Sequence, residues 1–322
     1  MILLFKAEEL FSEQDLQMLC RDDLCSVYQM RNNSGDGTVI YYQLYPGMAV
    51  MYNNFHSEEG TGRNVGTGHY ISIHHCLEGR MESEVSSGEY LYLEPGDILL
   101  ENIDAAKYRY YSFPINHYHG VSIILSVMDI AGSAVNDLLQ SFSIDLLKIE
   151  EKFSLAKGPC VLHGDPLIDH ILSEFYHIPD VIKGEYLKIK LLELLIALKT
   201  VDVSFLERIR PYFYKTQVEK VKDIKEFMIC SPEYHYTIEE LSKQFNISES
   251  SLKQCFKAIY GTAIYTYMKN YRMDIAASLL TETTESVTVI AGKVGYSNSS
   301  KFSAAFKNVK GVSPLAYRKV KI

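Results

Sequence analysis

Apolar residues recur at two different spacings along this chain, and the change of spacing divides it. Between residues 38 and 127 they alternate with polar ones, which predicts short strands over 38–45, 69–76, 89–93, 97–101, 108–113 and 121–127. Gly/Pro turns, Leu77 to Arg80 and Glu94 to Asp97, separate some of them. Many short strands at such intervals predict a β-barrel or double-sheet jelly roll. From about 165 to 216 the spacing lengthens to three and four. The strongest stretch there is 185–199, where Leu187, Leu191, Leu194, Leu195 and Leu198 make a helix apolar over more than one face. Such a helix is either sandwiched inside its own module or forms a dimer seam. Residues 200–217, which include Pro211, then read as an interdomain linker.

The last hundred residues hold the most specific pattern. Residues 287–294 read as a short helix that ends at Gly295, and Ser297 stands where an N-cap would. Phe302, Ala305 and Phe306 follow as one apolar stripe, with small polar residues and lysines opposite. Helix, glycine turn, helix is the arrangement that lays a second helix in the DNA major groove. The unit is repeated. Residues 238–245 form a helix with Leu241 and Phe245 inward, Asn246 and Ile247 turn, Ser248 caps, and Leu252, Cys255 and Phe256 repeat the stripe. Leu252, Phe256, Lys257 and Gly261 each lie fifty residues before Phe302, Phe306, Lys307 and Gly311. Both copies close on a glycine suited to a left-handed cap, and Ser313 with Pro314 opens a further helix. Between the copies, 264–281 is one long amphipathic helix of about 27 Å, near the ~34 Å between successive major grooves on one side of B-DNA.

Charge sharpens this division. The whole chain carries a net charge of -8, which taken alone argues against nucleic acid. From Val218 onward, however, 15 Lys and Arg stand against 10 Asp and Glu, a net +5, leaving -13 on the rest. A modestly basic reader is therefore attached to an acidic module. Six cysteines show neither a C-x-x-C pair nor zinc-ligand spacing, and read as reduced, mostly buried thiols. Residues 2–5 are too short for a signal-peptide core, and no stretch of 18 apolar residues is free of charge. A cytoplasmic protein with no membrane contact is expected.

Several of these residues carry a resemblance. Arg272, Ala276, Leu279 and Leu280, then Val289 through Ser297, Phe302, Ser303, Phe306, Lys307, Gly311 through Pro314, and Tyr317 with Arg318 resemble the signature of the AraC/XylS family of bacterial transcription regulators. The resemblance covers about the last hundred residues. It implies a seven-helix DNA-binding domain with two helix-turn-helix units, promoter DNA and RNA polymerase as partners, and a homodimer through the 185–199 helix. By matching positions it places base reading on Ser250, Ser251, Lys253 and Gln254 in the first unit and on Asn298, Ser299, Ser300 and Lys301 in the second. Lys257 and Lys307, at equivalent places in the two recognition helices, are expected at phosphates. Ala304 stands where many relatives have a basic residue, which weakens base reading by the second unit. The glycine turns at Glu78–Gly79 and Pro95–Gly96 resemble the cupin-like sensor domain that often precedes this reader.

The combined expectation is an α+β chain: a cupin-like β-barrel or jelly roll over 1–164, a helical dimerisation segment and linker over 165–217, and an all-α reader over 218–322. Within the barrel His69 and His75 share a strand face, as do His117 and His119, so four imidazoles could converge on a metal. The spacing of metal cupins is absent, however, and no catalytic residue, metal or cofactor is expected. A small-molecule effector is, with Tyr108 and Tyr110 beside those histidines as candidate contacts, because tyrosine offers both stacking surface and a hydroxyl. Two alternatives stay open: a metal-dependent cupin enzyme with a DNA-binding tail, and helical repeats that bind protein.

Overall fold

The computed structural model describes residues 16–22, 24–60, 68–85, 88–103, 111–203 and 212–320. Two compact units make up the chain, 1–212 and 213–322.

In the first unit the strands are β1 (Leu16–Arg21), β2 (Cys25–Asn32), β3 (Gly35–Tyr45), β4 (Met48–His56), β5 (Tyr70–Gly79), β6 (Met81–Val85), β7 (Glu89–Leu93), β8 (Asp97–Asn102), β9 (Tyr111–Ser112), β10 (Tyr118–Ser126) and β11 (Cys160–His163). The larger sheet is antiparallel and runs β1-β2-β3-β4-β10-β5-β8-β11. A second sheet places β6 between β7 and β9. Turn chemistry fixes these registers. Gly96 sits at φ +88 after Pro95, and the Asp97 N–H returns to the Glu94 carbonyl at 2.9 Å, which is a type II turn. Gly79 sits at φ +83 with the His117 carbonyl packed against it, so close that an added Cβ would lie 2.0 Å from that oxygen.

Of the expected β-barrel or double-sheet jelly roll, two facing sheets form, and they do not close into a barrel. Each face of the larger sheet buries against something different. Tyr28, Met30, Val39, Met51, Leu99 and Ile124 look toward the second sheet and its Met81 and Leu91. Val50, Ile71, Ile73, Val121 and Ile123 look the other way, onto helices. Central strands such as β5 and β10 are therefore buried on both faces, and alternation along them is weak.

Those helices are α1 (Val127–Ala131), α2 (Ala134–Ser141), α3 (Leu146–Lys152), α4 (Pro166–Phe175) and α5 (Lys183–Thr200). Asp165 caps α4 by accepting from the Leu167 and Ile168 N–H groups, with Pro166 at the first turn. Leu187, Leu191, Leu194, Leu195 and Leu198 of α5 are fully buried in the core they share with the sheet. The expectation that these leucines form a dimer seam is corrected: they are consumed within the unit. The large apolar residues left exposed on α5 are Ile189 and Ile196, with Ile182 just before it. The expected strand over 108–113 is described only at β9, and of the linker expected over 200–217, residues 204–211, Pro211 included, lie outside the described residues.

The second unit is helical: α6 (Lys215–Cys230), α7 (Ile238–Phe245), α8 (Glu249–Tyr260), α9 (Ile264–Glu282), α10 (Val287–Lys293), α11 (Ser299–Lys310) and α12 (Pro314–Val320). Val218, Val221, Ile224 and Met228 put one buried stripe along α6. At the far end Met273, Ala276 and Leu280 of α9 pack with Ile290, Phe302 and Phe306. The long helix is thus a shared spine, 19 residues or about 28 Å.

Candidate nucleic-acid interface

Helices α7–α8 and α10–α11 are the two copies. Thr237 and Glu240 make a capping box at the start of α7, and the Thr237 bonds hold the Glu240 carboxyl below its ordinary pKa. Asn246 ends α7 in the left-handed conformation at φ 49, which a non-glycine residue seldom adopts and Asn adopts most readily. Ser248 then caps α8, accepting from the Ser251 N–H at 3.1 Å. In the second copy Gly295, at φ +82, makes the turn.

Here the cap is not Ser297. Asn298 fills that role, its Oδ1 accepting from the N–H groups of Ser300 at 2.9 Å and Lys301 at 3.0 Å. Both recognition helices stop alike: the Gly261 and Gly311 N–H groups donate to the Lys257 and Lys307 carbonyls, each at 2.9 Å, with φ +76 and +79.

This framing decides what each expected contact can do. Leu252, Cys255 and Phe256 anchor α8 and leave Ser250, Lys253, Gln254 and Lys257 on its exposed face, at the spacing of one helical stripe. Ser251 is half-buried, and its hydroxyl receives a bond from the Ser248 hydroxyl at 2.9 Å; Ser250 meets the Ser248 hydroxyl at 3.1 Å. Lys253 pairs with Glu249 at 3.0 Å. Gln254 therefore stands out as the exposed side chain with two-sided amide chemistry. On α11, Phe302 and Phe306 are fully buried, Ser299 is half-buried, and Ser300, Lys301 and Lys307 are exposed. Asn298 spends its carbonyl oxygen on the cap and keeps only its amide NH2. Among the described residues no carboxylate pairs with Lys257, Lys301 or Lys307, whereas Lys310 is tied to Asp274 and Lys293 to Glu285. The free cations thus sit along the same helices as the small polar residues.

A loop between α6 and α7, for which no role was expected, holds the two copies together. Arg272 of α9 is 3% exposed and donates from Nε and Nη2 to the carbonyls of Pro232 and Tyr234, at 2.5 and 2.9 Å. His235 Nε2 donates to the Gly295 carbonyl at 2.9 Å. The only sequence signal was Arg272 itself, as part of a motif.

In the first unit the four expected histidines do not converge. His75 and His119 both meet Tyr176, His75 Nδ1 lying 2.8 Å from its hydroxyl and the His119 ring edge-on at 5.7 Å. His69 is instead against Glu150 at 2.9 Å, and His117 is against Glu78 at 3.2 Å and stacked on His56. Tyr108 and Tyr110 lie outside the described residues. A different group faces the space between the sheets. His74 Nδ1 is 2.7 Å from the Ser122 hydroxyl, which also accepts from Asn53 at 2.8 Å, and Glu101 accepts from Tyr111 at 2.6 Å and Ser72 at 3.1 Å. His74, Asn53, Tyr111 and Ser122 line a cavity of about 40 Å³ walled by Phe55, Phe113 and Tyr118, whose rings stack. That is room for about one water. Among the described residues no three His, Cys, Asp or Glu side chains gather as metal ligands would.

Comparison with known proteins follows this division. Residues 241–320 match a family described as a helix-turn-helix domain. The chain is 36% identical over 93 residues to a putative AraC-like transcription regulator of Streptomyces antibioticus, covering 29% of this chain and 31% of that protein. It is 34% identical over 91 residues to the RCS-specific HTH-type transcriptional activator RclR of Escherichia coli, covering 28% and 32%. The matches span less than a third of the length of these curated relatives. Among solved structures, the C-terminal domain of AraT, a response regulator from Geobacillus stearothermophilus, aligns at 30% identity over 32% of this chain and 86% of that one, with a TM-score of 0.31. The DNA-binding domain of AdpA, solved with a target DNA, aligns at 22% identity over 31% and 91%, with a TM-score of 0.30. The C-terminal unit is a tandem helix-turn-helix domain with AraC-like regulators among its relatives.

Proposed function

We propose that this chain is a sequence-specific DNA-binding transcription regulator, with α8 and α11 entering successive major grooves and α9 setting their separation. The observation that carries this is the matched pair of recognition helices, each anchored by two buried residues fifty apart from their counterparts, each exposing small polar residues and unpaired lysines. Selection from a random duplex library tests it. Enriched sequences should contain two half-sites about 10 base pairs apart, one helical turn. Absence of any enriched motif contradicts the reading.

The first unit is then the sensor. A small-molecule effector entering between the sheets would meet His74, Tyr111 and Ser122 and must widen the present cavity, so its binding free energy favours a wider arrangement. The outer stripe of Ile182, Ile189 and Ile196 supports homodimerisation on the exposed side of α5, away from the leucines first expected. Relatives that are transcription regulators support a non-enzymatic chain acting in the cytoplasm. Promoter DNA and RNA polymerase are then its partners. Among the described residues no helix is long and apolar enough to cross a membrane.

A further inference from the structure

The second unit contains a cavity of about 210 Å³ beside the first reader, enclosed by the end of α6, the start of α7 and the first half of α9. Met228, Ile264 and Met268 form an apolar floor, each nearly or fully buried. Tyr236 and Tyr265 stand at its sides, Tyr265 70% exposed as an outer wall. Among the described residues one charged group lines it: Arg272.

The arginine is in an unusual position for a cation. Its Nε and Nη2 donate to two backbone carbonyls, those of Pro232 and Tyr234. Among the described residues no carboxylate pairs with it; the titratable groups acting on it are Tyr296 and Tyr265. Burial pushes its pKa below the ordinary guanidinium value, with those two tyrosines opposing. Glu240, bonded to the lining residue Thr237, is held by the Thr237 N–H and hydroxyl at 2.8 and 2.9 Å. A buried cation whose charge meets only carbonyl dipoles is poorly compensated, and a planar carboxylate is the partner a guanidinium fork fits best.

Size narrows the ligand. A cavity of ~150 Å³ admits benzene, while drug-sized ligands occupy ~300 Å³ or more. Here 210 Å³ fits a single aromatic ring or a short alkyl chain bearing one acid group.

We propose that this cavity is a binding site for a small monocarboxylate with an apolar body, anchored on Arg272. Its location gives occupancy a consequence. The loop that Arg272 clamps also touches the second reader, through His235 on the Gly295 carbonyl and through Gly295 packed on Glu233. A ligand that shifts this loop changes the setting of one recognition helix against the other, and so couples to DNA affinity. That coupling rests on the DNA-binding reading; the site itself does not.

Calorimetric titration of the full chain with benzoate and hexanoate, and with benzyl alcohol and hexanol as neutral counterparts, tests the site without DNA. The acids should bind with one-to-one stoichiometry, at least about tenfold tighter than the alcohols, the scale of one hydrogen bond to a charged group. Arg272→Gln should remove that difference, and Tyr265→Ala, at an exposed wall, should weaken both acids several-fold. If Arg272→Gln does not fold, Tyr265→Ala decides. No acid binding up to about 50 mM, equal binding of acids and alcohols, or wild-type affinity in Tyr265→Ala overturns the proposal. A chain that binds the acids yet ignores DNA would leave the site standing and defeat the regulator reading instead.

Discussion

Gly295 packs so tightly on Glu233 that a Cβ added to the glycine would lie 2.4 Å from the Glu233 carbonyl oxygen. The same glycine holds φ +82 and accepts from His235 through its own carbonyl. One residue therefore makes the turn of the second reader and its contact with the loop ahead of the first. Gly295→Ala meets a left-handed backbone and a backbone clash together, and should destabilise the second unit by about 2 kcal/mol or more. Chemical denaturation followed by far-UV circular dichroism measures this. Gly292→Ala is the control, since nothing lies within 4 Å of a Cβ there.

Asn298 separates two roles that sequence position alone confuses. As the cap of α11 it holds the Ser300 and Lys301 N–H groups. Asn298→Asp keeps that acceptor and should retain stability, while Asn298→Ala should lose about 1 kcal/mol. Equal stability of the two variants in thermal unfolding would remove the capping role.

Gln254 and Lys257 lie on one exposed face of α8 but should behave differently on DNA. Gln254→Ala removes an amide able to bond adenine twice, and should cost about 1 to 3 kcal/mol at one base position with relaxed preference there. Lys257→Ala should weaken every sequence alike and lower the salt dependence by about one unit. Equal losses on selected and random duplexes for Gln254→Ala would deny it a base.

His75 links the first unit to pH. Burial drives its pKa from 6.5 down to about 4, so the folded unit keeps the ring neutral while the unfolded chain protonates it. Its share of stability is complete above pH 6.5 and is lost as pH falls towards about 4, at most about 3 kcal/mol. His75→Gln should flatten the acid limb of the first unit's unfolding by that amount. An unchanged limb would mean that His75 titrates normally.

The sequence made the reader legible because each of its signals is local. Phe302 and Phe306 are four apart, Gly261 and Gly311 end helices by their own backbone freedom, and the fifty-residue repeat checks one copy against the other. Charges on α8 and α11 were equally visible. The sensor was harder. Period two on β5 separates His75 from His74, but with both faces buried nothing in the alternation says which face meets the second sheet. His74, Glu101 and Ser122 meet only through the pairing of β5 with β8 and β10, which is long-range. The leucines of α5 misled for a related reason: an all-round apolar helix needs two partners, and the sheet and neighbouring helices of its own unit supply them. Arg272 was legible as a motif residue and silent as a clamp, because its acceptors are carbonyls forty residues and thirty-eight residues away.

Binding of the full chain to duplex DNA from its own upstream region, followed by fluorescence anisotropy across a salt series, tests the central claim most directly. Affinity should fall steeply and linearly on logarithmic axes, by about 0.9 in slope per phosphate neutralised, and Lys257→Ala with Lys307→Ala should reduce the slope by about two. A chain that ignores this DNA at low salt, or binds it with no dependence on salt, would contradict the account.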